Sequence, residues 1–238
     1  MRSTEDYQTV TSRLRGAASM CAASVLATVA AVSAAGCRGD DGATLAESEV
    51  SAGSTLKGVI RTPPLRVGDV ELPDESPAGR GKPFAMRARP GGLLLVYFGY
   101  TACPDICPTT LADIGAALRG MDAERRRIEV AMVTVDPERD TGDVISSYLD
   151  HFVEGGHALR TEDPEQLEAA ESAFHVVARR VEDGGTYSFE HTAMTYAVDE
   201  NGTVLVEWPF GTTWEDMRSD IRLLLDRSAE ANDKETTR

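Results

Sequence analysis

Cysteine is scarce in this chain: Cys21, Cys37, Cys103 and Cys107 are the four among 238 residues. So few thiols exclude a disulfide-stapled scaffold and leave stability to a hydrophobic core of ordinary single-domain size. Basic residues are also few, 24 Lys and Arg against 39 Asp and Glu, for a formal net charge of −15. So acidic a surface is repelled by phosphate backbones and anionic headgroups, which excludes nucleic acid and bare anionic lipid as partners. The charge otherwise serves solubility and identifies no function.

Charge is missing altogether from Gly16 to Gly36, a run of 21 residues that follows Arg13 and Arg15 and ends in Ser33-Ala34-Ala35-Gly36-Cys37. A short basic region followed by a small-residue, weakly apolar stretch reads as an export signal. The Gly-Cys ending resembles the lipobox of bacterial lipoproteins, where the signal is cut before the cysteine. That resemblance implies residues 1–36 as signal, a lipidated Cys37, and a protein on the extracytoplasmic face of a bacterial cell membrane. An uncut N-terminal anchor and soluble secretion are the alternatives, and each places the remainder outside the cytoplasmic membrane. Residues 37–57, rich in Gly, Ser, Ala and acids, read as a flexible tether. Residues 58–226 read as the folded domain, and residues 227–238, without apolar residues larger than Ala, as a disordered tail.

Within the domain, Leu65–Leu72 alternates apolar and polar residues between prolines and predicts short edge strands. From Leu93 the pattern turns regular: strand Leu93–Phe98, helix Pro108–Met121, strand Ile128–Val135 and helix Thr141–Phe152. Such alternation predicts an α/β sheet with parallel strands. A short apolar piece at Ala158–Leu159 precedes a helix over Pro164–Phe174, with Asp163 as its cap. A strand at Val176–Val181 follows, then strands Ala193–Val198 and Thr203–Glu207 about a turn, and a helix from Thr212 or Thr213 to Leu225. This order looks like a thioredoxin-like α/β fold: a central mixed sheet flanked by helices, with a β insertion before the last helix.

Between the first strand and helix stands Cys103-Pro104-Asp105-Ile106-Cys107-Pro108. Pro108 belongs in a first helical turn, so Cys107 falls at a helix N-terminus, where the helix dipole and free N–H groups favour thiolate over thiol. A bridge between cysteines four apart closes too short a loop to stabilise much, so the pair reads as reactive rather than structural. Of His151, His157, His175 and His191, the last lies directly before a strand and after a Gly184-Gly185 loop able to fold over the cysteines. His151, His157 and His175 read as structural, and Met194 as a core residue rather than a ligand. Two thiolates and one imidazole in an open site suit copper, as Cu(I) or with a further ligand as Cu(II), whereas zinc prefers a closed four-ligand cage.

Cys-Pro-Asp-Ile-Cys-Pro, the run Val135-Asp136-Pro137-Glu138-Arg139-Asp140-Thr141 after the next strand, and the downstream His191-Thr192 resemble the Sco/SenC family over about Gly92 to Leu225. The resemblance implies one copper per chain on Cys103, Cys107 and His191, delivered by a membrane-tethered protein to the copper-A subunit of cytochrome c oxidase. Some members instead reduce thiols, so Cys103 and Cys107 as a redox pair acting on partner cysteines is the alternative; thiol-redox partners and other copper chaperones are then also expected. A peroxidase-like thiol enzyme is a third reading, with no cation in the cysteine loop to support it. Asp136 ends a strand beside the cysteines and is expected to support the site or contact a partner, or else to cap the turn at Pro137.

Overall fold

Seven consecutive buried residues, Leu93–Gly99, form β3 at the centre of the sheet. A strand buried on both faces needs apolar neighbours on each side. It finds them in β4 (Ile128–Thr134), running parallel, and β8 (Met194–Val198), running antiparallel. The computed structural model describes residues 55–236. The signal segment, Cys37 and the tether as far as residue 54 lie outside the described residues.

The other strands of this sheet are β1 (Glu71–Asp74), β2 (Lys82–Ala85), β5 (His157–Leu159) and β9 (Val204–Pro209), in the order β2-β1-β5-β4-β3-β8-β9. Strands β3, β4 and β5 are parallel to one another and the rest pair antiparallel, which makes the sheet mixed. Helices α1 (Ile106–Leu118), α2 (Gly142–Asp150), α3 (Pro164–Ala173) and α4 (Trp214–Thr236) flank it, giving the thioredoxin-like architecture expected. Thr141 caps α2 by accepting the Val144 N–H, and Asp163 caps α3 by accepting that of Glu165 with Pro164 in the first turn. A side chain also closes α1: Arg218 of α4 donates to the carbonyls of Ala116, Ala117 and Arg119 at 2.5 to 2.9 Å, meeting the negative end of the helix with a cation.

Three expectations need correction. The tail is not disordered from Arg227, since α4 continues to Thr236. Residues 227–236 carry Ala, Glu, Lys and Arg, and helix propensity prolongs a helix after its apolar face has ended. The ordered domain begins before Gly58: Leu56 packs on the core and the Lys57 N–H is hydrogen-bonded. The edge strands fall later than Leu65–Leu72, at β1 and β2, while Val59 and Arg66 make isolated bridges to Glu207 and Thr203 at the opposite edge. The alternation there reports chain shared between two sheet edges.

The chain between α3 and β8 departs most from its expected form. In place of a strand and a loop it forms a complete hairpin, β6 (Ala178–Asp183) and β7 (Thr186–His191), which makes a two-stranded sheet of its own. Gly184 and Gly185 adopt φ of 54° and 97°, the left-handed values that a two-residue hairpin turn requires. Burial alternates along β7, with Tyr187, Phe189 and His191 on its inner face.

Buried Asp220 of α4 ties Lys57 and Gly58 to the last strand. It accepts the N–H groups of Lys57 and Gly58 at 2.8 and 2.9 Å and the Trp208 indole N–H at 2.9 Å. Asp220→Ala strands the buried Trp208 indole N–H and frees two part-buried N–H groups that water can reach, so at 1 to 3 kcal/mol for an unsatisfied buried group it should cost about 2 kcal/mol in denaturant unfolding. A loss below about 1 kcal/mol would show that the three donors find other partners.

Candidate metal centre

The site begins at the end of β3. Gly99, its last residue, leaves room that no other residue could: a Cβ there would lie 3.0 Å from the Cys107 sulfur and 2.6 Å from the Tyr97 ring. The chain then turns through Thr101 and Ala102 to Cys103, and α1 begins at Ile106 rather than Pro108. Cys107 is thus the second residue of the helix, fully buried, with Pro108 behind it in the first turn.

No side-chain oxygen caps α1; Asp105 stands at the N-cap position without a capping hydrogen bond. The sulfur of Cys103 fills that role, accepting the Cys107 N–H at 3.3 Å. A sulfur at the positive end of a helix is favoured as an anion. The Cys107 thiol beside it holds the Cys103 thiol far below its ordinary range against the opposing effect of partial burial, with the N–H groups of Cys107 and Asp105 adding to the depression. Cys107 goes the other way, pushed up by the Cys103 sulfur and by burial. In the metal-free state the pair is therefore asymmetric: a half-exposed thiolate at Cys103 and a buried thiol at Cys107.

His191 arrives from the far side, at the end of β7. Its Nδ1 lies 3.1 Å from the Thr192 carbonyl, which can only accept, so Nδ1 carries the hydrogen and Nε2 presents a lone pair. That Nε2 stands 3.5 Å from the Cys107 sulfur. The rings of Tyr97 and Tyr100 meet the imidazole edge-on, with centroids at 6.2 and 6.0 Å. The two sulfurs and the imidazole nitrogen all lie within 4.8 Å of one another, the one such grouping of potential ligands among the described residues. An open cleft of about 420 Å³ runs past them between the cysteine loop and β7, lined by Tyr100, Pro104, Ile106 and Phe189.

The structure thus brings together Cys103, Cys107 and His191, and keeps the other histidines apart from them. The Nδ1 of His151 is 2.6 Å from the Ser147 carbonyl at the exposed end of α2, and exposed His175 adopts a left-handed turn at φ 55°. His157 lies between Asp74 at 2.7 Å and Glu129 at 3.3 Å, with both ring nitrogens engaged. Met194 packs on the core. Asp136, buried to 1% exposure, touches neither sulfur; it accepts from the Arg139 guanidinium and, at 3.0 Å, from the Tyr187 hydroxyl of β7.

Sequence reasoning missed Tyr100, Arg139, Asp140 and Tyr187. Arg139 and Asp140 lie inside the run that singled out Asp136, but the partners that tie them to β7 and to the cysteine loop are 48 and 39 positions away in sequence. Only the alternation of Tyr187, Phe189 and His191 was available to reveal the strand that carries one of the potential ligands.

A family model described as SCO1/SenC matches residues 76–226, starting earlier than the Gly92 at which the sequence motifs become legible. A SCO2-like protein of Rickettsia felis is 36% identical over 141 residues, which are 58% of this chain and 66% of that protein. The chain spans about two thirds of the length of that relative. Among solved structures, Bradyrhizobium japonicum ScoI with copper bound is 30% identical, with a TM-score of 0.56 over 71% of this chain and 98% of that one. Apo Sco1 from Thermus thermophilus is 29% identical, with a TM-score of 0.58 over 71% and 95%.

The asymmetry of the thiols has a direct readout. In the reduced, metal-free protein, alkylation at Cys103 should stay nearly flat from about pH 8 to about pH 5, where an ordinary thiol slows about tenfold per pH unit, and Cys107 should stay unlabelled. Mass mapping of the labelled peptide checks this, and a rate at Cys103 falling tenfold per unit below about pH 8 would contradict it.

Proposed function

This chain belongs to the SCO1/SenC family, and on that footing we propose that it carries one copper ion on Cys103, Cys107 and His191 and delivers it to the copper-A centre of cytochrome c oxidase. The observation that carries the reading is the gathering of two sulfurs and one imidazole lone pair within 4.8 Å beside an open cleft. Soft sulfur ligands favour Cu(I), and the imidazole extends the set toward Cu(II). Copper bound to the ScoI of Bradyrhizobium japonicum, similar to this chain over 98% of its length, supports the choice of metal.

In this reading copper is cargo. Cys103, already a thiolate at the cleft wall, supplies the accessible sulfur through which a ligand of the acceptor can replace those of the donor. Cys107 is buried behind it and gives up its proton when the metal enters, with the Nε2 of His191 at 3.5 Å. Tethering at the extracytoplasmic face, through a lipid on Cys37 or an uncut anchor, would hold the site near a membrane-embedded acceptor. Among the described residues no helix is long and apolar enough to cross a membrane.

A second reading rests on the asymmetry of the thiols. The Cys103 thiolate attacks a partner disulfide and releases one partner thiolate. Cys107 then attacks the mixed disulfide, giving up its proton toward His191 and releasing the second partner thiol. The partner gains two electrons and this chain closes a Cys103–Cys107 disulfide. The two activities are compatible, because an acceptor whose cysteines bind copper must first be reduced.

Copper titration of the reduced protein separates them. One copper per chain is expected, with Cys103→Ser and Cys107→Ser each losing tight Cu(I) binding while remaining folded. His191→Ala should weaken Cu(II) by more than about a hundredfold, beyond the 10 to 100-fold of an outer partner, and leave Cu(I) partly bound by the two sulfurs. Equal loss of both ions in His191→Ala would contradict these roles, and no copper binding beside rapid disulfide turnover would favour the oxidoreductase.

A further inference from the structure

The two halves of the donor set reach the site on separate supports. Cys107 lies in α1 and Cys103 in the turn that joins β3 to it, whereas His191 ends a hairpin that shares no backbone ladder with the main sheet. The inner edge of β7 is satisfied by side chains instead. The Tyr100 hydroxyl bridges both backbone groups of Phe189, accepting from its N–H at 3.3 Å and donating to its carbonyl at 3.5 Å. Arg139 Nη1 donates to the Tyr187 carbonyl at 3.0 Å.

Arg139 does more than close one backbone group. Its Nε is bonded to the buried Asp136 carboxylate, whose other oxygen accepts the Tyr187 hydroxyl at 3.0 Å. Its guanidinium lies over the Tyr187 ring at 3.8 Å, and Arg180 of β6 lies over the same ring at 3.5 Å. Tyr187 is therefore gripped at its carbonyl, ring and hydroxyl. Tyr187, Phe189 and His191 share one face of β7, so fixing Tyr187 fixes the line on which the imidazole stands.

One residue further along, Asp140 is fully buried and accepts from three donors: the Thr101 N–H at 3.0 Å, the Thr101 hydroxyl at 2.5 Å and the Thr134 hydroxyl at 2.7 Å. Thr101 precedes Cys103 by two residues. The loop from Asp136 to Asp140 thus holds the cysteine loop with one end and the histidine hairpin with the other.

We propose that Arg139 is a positioning residue for the metal site: through Asp136 and Tyr187 it latches the β6–β7 hairpin to the loop that fixes the cysteines, and so sets how firmly His191 completes the ligand set. The consequence for copper rests on the reading given above; the latch itself does not. Loss of the latch leaves the two sulfurs in place and frees the hairpin, so the imidazole-dependent state of the site suffers and the thiolate-dependent state is spared.

The test uses Arg139→Gln, with Arg139→Lys as the conservative variant and Tyr187→Phe, which keeps the stack and removes only the hydroxyl's bonds to Asp136 and Glu138, as a milder change. In the metal-free protein, amide exchange over residues 186–192 should quicken about tenfold or more in Arg139→Gln, the scale of one lost charge-assisted hydrogen bond, while β3 and β4 keep their protection. Arg139→Lys and Tyr187→Phe should fall between that variant and the parent. Cu(II) affinity should drop about tenfold in Arg139→Gln with Cu(I) affinity nearly unchanged, and the drop should vanish in a His191→Ala background. Unchanged exchange over 186–192 in Arg139→Gln overturns the latch, and so does a Cu(II) loss of the same size in the His191→Ala background. If His191→Ala alone leaves copper binding intact, the ligand assignment fails instead, and the exchange experiment still decides whether Arg139 holds the hairpin.

Discussion

The first turn of α1 has no oxygen to cap it, and the Cys103 sulfur takes the place of one. That single substitution of sulfur for oxygen couples fold to chemistry. The free N–H groups of a helix start need an acceptor; supplying a sulfur satisfies the helix and holds the sulfur as an anion. Cys107, one turn along and beneath it, then finds itself beside a negative charge in a dry place and keeps its proton. Without the buried strand β3 delivering the chain to this point, and without Gly99 at its end, there would be no room for the second sulfur.

The imidazole comes from elsewhere in the chain, and that separation suits a carrier better than a permanent metal holder. Both sulfurs sit where β3 of the main sheet runs into α1, whereas the nitrogen rides on a two-stranded sheet fastened by side chains. A site that must release its ion gains from a ligand on a separate support, because the ligand number can change while the core stays intact. The asymmetry of the two thiols serves either metal transfer or disulfide exchange, since both begin with an exposed thiolate backed by a shielded partner.

Much of this was legible in the sequence because it depended on near neighbours. The all-apolar run Leu93–Phe98, the cap Asp163, and the Cys103 to Cys107 spacing before Pro108 are local signals, and the sheet core, the helices and two of the three proposed ligands followed from them. His191 could be placed only by its position before a strand, and the hairpin that carries it was misread because its strands lie outside the main sheet and carry no continuous apolar run. The bonds from Asp140 to Thr101 and from Arg139 to Tyr187 join residues far apart in sequence, so no local pattern announces them. The tail was misread in the opposite sense: absence of large apolar residues speaks against a buried face but not against helix, and α4 runs on to Thr236.

The central claim is that Cys103, Cys107 and His191 act together as one copper site. X-ray absorption of the copper-loaded protein tests it most directly, because the scattering shell counts the ligand types around the ion. The account predicts two sulfurs and one imidazole nitrogen in the Cu(II) form, with the nitrogen shell lost in His191→Ala. A shell of nitrogen and oxygen without sulfur, or one that His191→Ala leaves untouched, would contradict it.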